Sequence, residues 1–173
     1  MKKNKILIIW AVLVLVSMTG NVRAAGRSVL SGGARLHMDN SVSDDIPFGD
    51  DDISVLLGYE YHEDAAFWQL AVGYTPDVDS ALGVDYVVTP QMNLIIKDNM
   101  WRAGFGALWS YVKPDVGKSD WTDVYWQFLL GINLPVMGLS MDVNAYYPFE
   151  DWGDLGDFDF SDVEYGVLFG YQF

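Results

Sequence analysis

Two histidines, His37 and His62, are the residues of this sequence best suited to acid–base chemistry, and the chain contains no cysteine. An Asp79–Ser80 pair offers a hydroxyl group that a histidine could activate. A general base works only within hydrogen-bond reach of its nucleophile, and the linear spacing does not predict such a contact here. We therefore interpret His37 as part of a polar interior and His62 as a rim residue beside a tight turn. We predict no catalytic residues and no enzymatic activity.

Acidic residues are concentrated in two stretches without hydrophobic periodicity, residues 39–52 and 150–162. Carboxylate oxygens are ligands that Ca²⁺ and Mg²⁺ prefer, but neither stretch has the glycine and glutamate spacing of an EF-hand loop. We interpret both as solvated loops whose charges repel one another, and we predict no dedicated metal site and no cofactor. Divalent cations at these loops remain candidate partners, and Trp152, Phe158 and Phe160 in the second stretch suggest contact with a protein or glycan.

The overall composition limits the class of protein. The chain has 173 residues, of which 51% are hydrophobic and 15% aromatic. This is enough for one ordinary domain and excludes a disordered chain. The lack of cysteine excludes a disulfide scaffold, a thiolate metal site and a lipid-modified N-terminal cysteine. Ten basic residues against 24 acids give a formal net charge of −14, which leaves no basic face for nucleic acid.

The N-terminal segment, residues 1–24, is typical of a secretory signal peptide. Three lysines precede an unbroken apolar run from Ile6 to Val16, and the segment ends in Val22-Arg23-Ala24, with acceptable residues at −3 and −1. The apolar run is too short to cross a bilayer as a helix, which needs about 20 residues. Cleavage after Ala24 would leave residues 25–173, with six basic residues against 24 acids and a net charge of −18.

Alternation of apolar and polar residues recurs along the rest of the chain and predicts β-strands. The segments that show it most clearly are 53–62, 68–74, 101–111, 124–133, 141–147 and 164–173. In the third of these, one face carries Trp101, Ala103, Phe105, Ala107, Trp109 and Tyr111. The opposite face of that segment carries an arginine, two glycines, a leucine and a serine.

The contents of the two faces indicate what each face contacts. The apolar face carries no charge in any of these segments and is crowded with aromatic residues, whereas the other face mixes charges with glycines. Bulky side chains from several strands would overfill the interior of an eight-stranded barrel. Pointing them outward into lipid leaves glycines and a polar network inside, which is the arrangement of a transmembrane β-barrel. A soluble barrel or sandwich with the faces reversed is the alternative.

The connections predict an all-β fold, an eight-stranded antiparallel transmembrane β-barrel. Longer connections at 39–52, 76–80, 113–122 and 150–162 alternate with tight turns near 63–64, 98–99 and 134–138. Extracellular loops and periplasmic turns alternate in this way in outer-membrane barrels. The segment from Leu82 to Lys97 is long for a membrane strand and contains Pro90, which cannot donate to the ladder. We interpret it as one strand with a bulge, because a turn at Thr89–Pro90 would give nine strands.

The C-terminal strand carries aromatic or aliphatic residues at every second position up to the final phenylalanine: Tyr165, Val167, Phe169, Tyr171 and Phe173. This strand resembles the closing strand of bacterial outer-membrane proteins. The whole chain is similar in size and layout to the small barrels of the outer-membrane protein A and X type. The resemblance implies recognition by the barrel-assembly machinery, a location in the bacterial outer membrane, and contact with outer-membrane lipid and lipopolysaccharide. It identifies a superfamily rather than a function.

Two enzyme families use small outer-membrane barrels, and this chain matches the pattern of neither. Lipid A deacylases carry a His-x-Ser-Asn pattern, but no serine stands two residues after His37 or His62. Lipid A palmitoyltransferases need a histidine with an Asp–Ser pair near the outer rim, which His37 and Asp79–Ser80 resemble only loosely. The amphipathic N-terminal helix of that family is missing, because the first predicted strand begins almost at the cleavage site.

Six charged residues are predicted to point into the lumen: Arg35, Glu60, Asp85, Arg102, Asp142 and Glu164. Unpaired buried charge is costly, so the arginines should pair with these acids and fill a lumen that eight strands leave too narrow for an open channel. The leading functional prediction is a monomeric, non-enzymatic barrel with a structural or surface-interaction role through acidic extracellular loops. The alternatives are a narrow cation-preferring pore and, third, a lipid A-modifying enzyme.

Overall fold

The computed structural model describes residues 27–38, 47–62, 65–78 and 83–173. The predicted signal peptide, the turn at Glu63–Asp64 and most of the first acidic loop lie outside these residues. The described strands are β1 (Arg27–Leu36), β2 (Ile53–His62), β3 (Ala66–Val78), β4 (Val84–Asp98), β5 (Trp101–Leu108), β6 (Tyr111–Pro114), β7 (Asp120–Trp121), β8 (Tyr125–Val136), β9 (Leu139–Phe149) and β10 (Glu164–Gln172). Two short 3₁₀ turns, Asp154–Asp157 and Phe160–Asp162, lie between β9 and β10. Within the described ranges, no helix is long and apolar enough to cross a membrane.

The strands close into a ring of eight, which confirms the predicted fold. Each barrel strand pairs antiparallel with the next, and β10 returns to pair with β1. β5 and β6 are two parts of one barrel strand, because both pair with β4 in a single continuous register. Following the ladder from Trp101 through one partner on every strand returns to Tyr111, ten residues further along the same barrel strand. A stagger of this kind goes together with the strand tilt that closure of a barrel requires.

The stretch with the internal proline forms one strand, so the nine-strand alternative is wrong. β4 runs without interruption over 15 residues, and Pro90 lies opposite Val72 of β3. On its other side Pro90 accepts a hydrogen bond from the backbone N–H of Trp109, at 3.3 Å. Because proline has no N–H to return, the ladder is interrupted there, and this separates β5 from β6. The expected bulge lies between Val84 and Tyr86, where the register with β6 shifts.

The two ends of the barrel differ in their connections. We call the end at which β1 begins, β10 ends and β8 is joined to β9 the turn end, and the opposite end the loop end. At the turn end, Met137 and Gly138 join β8 to β9 with φ values of 53° and 85°. Two positive φ values define a type I′ hairpin, which glycine adopts without strain. At the loop end, the region predicted as a loop over 113–122 contains β7, which pairs with β6.

The apolar face of the alternation lies on the outside of the barrel, as predicted. Exposed large side chains include Leu57, Trp68, Leu94, Trp101, Phe128, Leu130, Val167 and Phe169. Aromatic residues lie toward both ends of this outer face: Trp68, Trp101 and Tyr171 near the turn end, and Tyr74, Trp109 and Trp126 near the loop end. Leucine and valine predominate between them. An apolar band between two aromatic girdles is the outer surface of a membrane barrel.

The inner face is packed so closely that glycine is required at several positions. A Cβ atom at Gly106 would collide with the side-chain oxygen of Asn93, and a Cβ atom at Gly131 would collide with that of Asn144. The glycines on the inward parity therefore make room for polar side chains from neighbouring strands. A larger residue at either position would displace the amide that occupies the lumen.

A charge on the outer face should destabilise the folded barrel in a bilayer. Leu130 is 59% exposed and lies in the middle of the apolar band. We expect Leu130→Arg to lower the free energy of unfolding from lipid vesicles by about 2–4 kcal/mol, because the guanidinium would lie in hydrocarbon. Urea titration of the refolded protein measures this change.

The control is Val116→Arg, which places the same charge in the connection between β6 and β7, where Val116 is 90% exposed. We expect it to change stability by less than about 0.5 kcal/mol. Equal effects of the two substitutions would show that Leu130 lies in water.

Candidate functional site

The turn-side half of the lumen is organised around Arg102, which is 2% exposed. Its guanidinium forms ion pairs with Glu60 of β2, at 2.8 Å, and with Asp142 of β9. Glu60 also contacts His62 Nε2 at 2.8 Å and accepts a hydrogen bond from the side-chain amide of Gln69 at 2.8 Å. A charge on one barrel strand is thereby paired with carboxylates from two distant strands.

The loop-side half is organised around Arg35 of β1. Its guanidinium pairs with Glu164 of β10 and donates to the side-chain oxygen of Gln127 at 2.9 Å. It also lies over the ring of Tyr146, 4.2 Å from the ring centroid. His37 contacts the same Glu164 carboxylate through Nδ1, at 3.0 Å. Arg35, Glu164 and Gln127 are all buried.

Neutral amides connect the two charged centres across the lumen. Gln69 accepts from Asn93 at 2.9 Å, and Asn93 accepts from Gln127 at 2.7 Å. Gln127 also donates to Gln91 at 2.9 Å, while its oxygen accepts from Arg35. A continuous hydrogen-bonded network therefore joins Glu60 to Glu164. Buried charges are tolerated when they are paired and their remaining hydrogen-bonding groups are satisfied.

Apolar side chains occupy the rest of the cross-section. Phe67, Ile95, Leu129 and Tyr146 form one buried cluster between the strands. A second cluster at the loop end comprises Phe48, Val78, Val84, Val87, Leu108 and Tyr125. Phe48 precedes β2 and stacks on His37, with 3.7 Å between the ring centroids. The described residues thus block the lumen with a charged middle section beneath an apolar layer at the loop end.

The structure places five of the six predicted lumenal charges in this network and leaves Asp85 out. Asp85 is exposed, and that prediction was wrong. Strict alternation fails there because two successive residues, Asp85 and Tyr86, face away from the lumen at the bulge in β4. The paired strand β3 is irregular at the same level, where Asp77 has a φ of 47°.

Sequence reasoning missed the amides, although they were visible in the pattern. Gln69, Gln91, Asn93 and Gln127 are each at most 5% exposed and lie on the same inward parity as the lumenal charges. An uncharged polar residue in the middle of a membrane strand is the signal that would have found them, because its hydrogen bonds must be made inside the barrel.

One row of lumenal side chains contains the residue types of a catalytic relay in the right order. Glu164 lies 3.0 Å from His37 Nδ1, a contact without hydrogen-bond geometry, and His37 Nε2 lies 2.6 Å from the hydroxyl oxygen of Ser54. That order, carboxylate to histidine to serine, can activate a serine nucleophile. However, Ser54 is only 2% exposed and its hydroxyl is also bonded to that of Thr75 at 2.5 Å. Both facts place the row inside the packed lumen.

The acidic segment between β9 and β10 folds against the outer wall of the barrel. The Trp152 ring lies 5.7 Å from that of Phe105 and 5.5 Å from that of Phe149, between ring centroids. Phe149 points outward, yet these neighbours cover it completely. Phe158 packs on Tyr147 with 4.6 Å between centroids, while Phe160 beside it is 82% exposed.

The carboxylates of this region have two kinds of surroundings. Asp162 is fully buried, which departs from the predicted solvated loop. Asp159 is exposed, and the backbone N–H of Ser161, which donates to it at 2.9 Å, holds the pKa of Asp159 below its usual value. Within the described part of the chain, no group of three or more histidine and carboxylate side chains is arranged to hold a metal ion.

Comparison with known proteins bears on the fold alone. No family model matches the chain, and no curated protein matches it. Among solved structures, Neisserial surface protein A (NspA) is 13% identical, with a TM-score of 0.50 over 85% of this chain and 96% of that one. Ail, the attachment invasion locus protein of Yersinia pestis, is 16% identical, with a TM-score of 0.43 over 86% of this chain and 98% of that one.

The fold is that of a small outer-membrane β-barrel. The similarity to NspA extends over nearly the whole of that protein. At this level of identity the lumenal side chains of the two proteins are not expected to correspond.

Removing the central arginine should destabilise the barrel strongly. Arg102→Met leaves Glu60 and Asp142 buried without their shared cation, and we expect a loss of about 3–5 kcal/mol in the free energy of unfolding. Urea titration in detergent or vesicles measures it. Adding Glu60→Gln to Arg102→Met should recover part of the lost stability, because one of the two unpaired buried carboxylates is neutralised.

The matched control is Lys118→Met, which removes one positive charge at an exposed position between β6 and β7. We expect it to change the stability by at most about 0.5 kcal/mol. An Arg102→Met barrel as stable as this control would mean that the buried ion pairs do not hold the lumen together.

Proposed function

We propose that this protein resides in the outer membrane of a Gram-negative bacterium as a non-conducting barrel with a structural or surface-interaction role. The observation that carries the proposal is the blocked middle of the lumen. Arg102, Glu60 and Asp142 are each at most 2% exposed, and the Phe48 cluster covers the charged section toward the loop end. Water and ions would have to break these ion pairs to pass through the barrel. A barrel that conducts nothing can act only through the surfaces that it exposes.

The outer surface supports the location. Its apolar band matches the hydrocarbon of a bilayer, and its aromatic girdles match the two interfaces. The alternating side chains of the last strand, including Tyr165, Phe169 and Tyr171, lie outward, where the barrel-assembly machinery could read them. In this orientation the turn end faces the periplasm and the loop end faces the exterior. The surroundings are outer-membrane lipid and lipopolysaccharide, and the barrel is a monomer.

The segment between β9 and β10 supports the surface-interaction role. Its side chains Trp152 and Phe160 are exposed beside several aspartates. Exposed aromatic rings next to hydrogen-bonding groups are typical of surfaces that contact proteins or sugars. The acidic loops would repel lipopolysaccharide phosphates unless divalent cations lie between them, so Ca²⁺ or Mg²⁺ is the inorganic partner that this surface fits.

Electrical recording separates this proposal from the narrow pore. We expect the refolded barrel to show no discrete conductance steps in planar bilayers, because the ion pairs of Arg35 and Arg102 block the lumen. The lumen variant Arg102→Ser, if it folds, should show brief openings. Regular cation-selective steps from the wild-type protein would contradict the proposal and establish the pore.

The Ser54–His37–Glu164 row favours hydrolysis of an ester as a second candidate function. A serine-directed fluorophosphonate tests it, because the reagent labels a serine that a histidine activates. We expect no labelling, since Ser54 is shared with Thr75 beneath the loop-end cluster. Labelling that Ser54→Ala abolishes and Ser110→Ala preserves would overturn the non-enzymatic assignment. Mass analysis of lipid A from cells with and without the gene would then test lipid A as the substrate.

A further inference from the structure

A cavity of about 730 Å³ opens at the turn end of the barrel, below the Arg102 ion pairs. Its volume is in the range of sites for small ligands. Four of its lining side chains are basic or can become so, namely Arg27, His62, Lys97 and Arg102, whereas Glu60 is the single carboxylate among the lining residues. This composition is the reverse of the whole chain, in which 24 acids face ten basic residues.

The register forces these basic residues into directly opposed pairs. Lys97 of β4 is the cross-strand partner of Arg102 of β5, and Arg27 of β1 is the cross-strand partner of His62 of β2. Like charges placed directly opposite each other on a sheet destabilise it. Arg102 is neutralised by Glu60 and Asp142, as described above, but Lys97 and Arg27 form no ion pair with any residue that the structure describes.

The ammonium group of Lys97 has hydrogen-bonding capacity that the described residues leave available. Lys97 donates one hydrogen bond, at 2.5 Å, to the neutral side-chain oxygen of Asn133. Arg102 also lines the cavity, although it is 2% exposed and its Nε–H, which has no hydrogen-bond partner among the described residues, is itself covered by protein. An ammonium or guanidinium group forms its strongest hydrogen bonds with anionic acceptors.

We propose that the turn-end cavity binds a small multivalent anion, a molecule with two or more carboxylate or phosphate groups. Arg27 and Lys97 supply two positive charges that no described residue pairs, and Arg102 lines the floor of the cavity. His62 and Asn133 add further hydrogen-bonding groups to the wall. In the orientation proposed above the ligand enters from the periplasm. The site itself depends only on the cavity, so it stands or falls independently of the surface role at the other end.

Isothermal titration calorimetry on the refolded full-length barrel in zwitterionic detergent tests the site. The probes are citrate, inorganic phosphate and glucose 6-phosphate, with glucose as the neutral control, all at one ionic strength. We expect saturable binding of at least one anionic probe and none of glucose. Binding of citrate alone would identify carboxylates as the ligand class, and binding of only the two phosphate compounds would identify phosphates.

Matched double variants locate the binding. The double variant Arg27→Gln with Lys97→Gln should lower the affinity for the anion by about tenfold or more, because charge-assisted hydrogen bonds are lost. Lys113→Gln with Lys118→Gln removes the same charge outside the cavity lining and should leave the affinity unchanged. No saturable binding of any anion, or equal weakening by both double variants, overturns the proposal.

A second measurement covers the case in which the cavity variant fails to fold. In ¹⁵N NMR spectra of the wild-type barrel, the Arg102 Nε–H resonance should move progressively on addition of the anion that binds. The signals of Lys113 and Lys118 should stay in place. An Arg102 resonance that does not respond while calorimetry reports binding would place the anion elsewhere and refute the site.

Discussion

The structure depends on one constraint, which is that a closed ring of strands divides every strand into two faces with opposite solvents. Closure pairs the backbone groups, so the side chains alone decide what lies inside and outside. Leu130 and Trp101 on one parity face outward, while Gln127 and Arg102 on the other are buried. Each charge on the inner face must then find its counter-charge across the lumen, because neither water nor lipid is available to it.

This constraint explains why the interior forms one connected network. Arg35 and Arg102 lie on strands far apart in sequence, and amides on β3, β4 and β8 bridge their two carboxylate systems. Gly106 and Gly131 leave the space that these amides occupy. The apolar cluster around Phe48 then covers the loop end, while the turn end stays open as a basic cavity. The two ends therefore offer different chemistry: acids and exposed aromatics at one, and at the other two cations that no described residue pairs.

The alternation in the sequence was sufficient to predict the barrel, the outward aromatics and the inward placement of residues such as Glu60 and Glu164. It failed wherever the backbone departs from period two. Asp85 was assigned to the lumen because the position of the bulge cannot be read from the sequence around it, and the interruption beside Trp109 depends on its pairing with Pro90. The docking of Trp152 on the barrel wall and the opposition of Lys97 to Arg102 follow from register and loop packing, which single-strand patterns do not contain.

Accessibility of spin labels tests most directly whether the apolar parity faces hydrocarbon. The native chain has no cysteine, so single cysteines at Leu57, Leu130 and Val167, on three different strands, can be labelled without background. In vesicles these labels should collide often with dissolved oxygen and rarely with a water-soluble nickel chelate, whereas a label at Val116 should show the reverse. Preferential collision with nickel at all three strand positions would mean that these side chains lie in water, and the membrane assignment would be wrong.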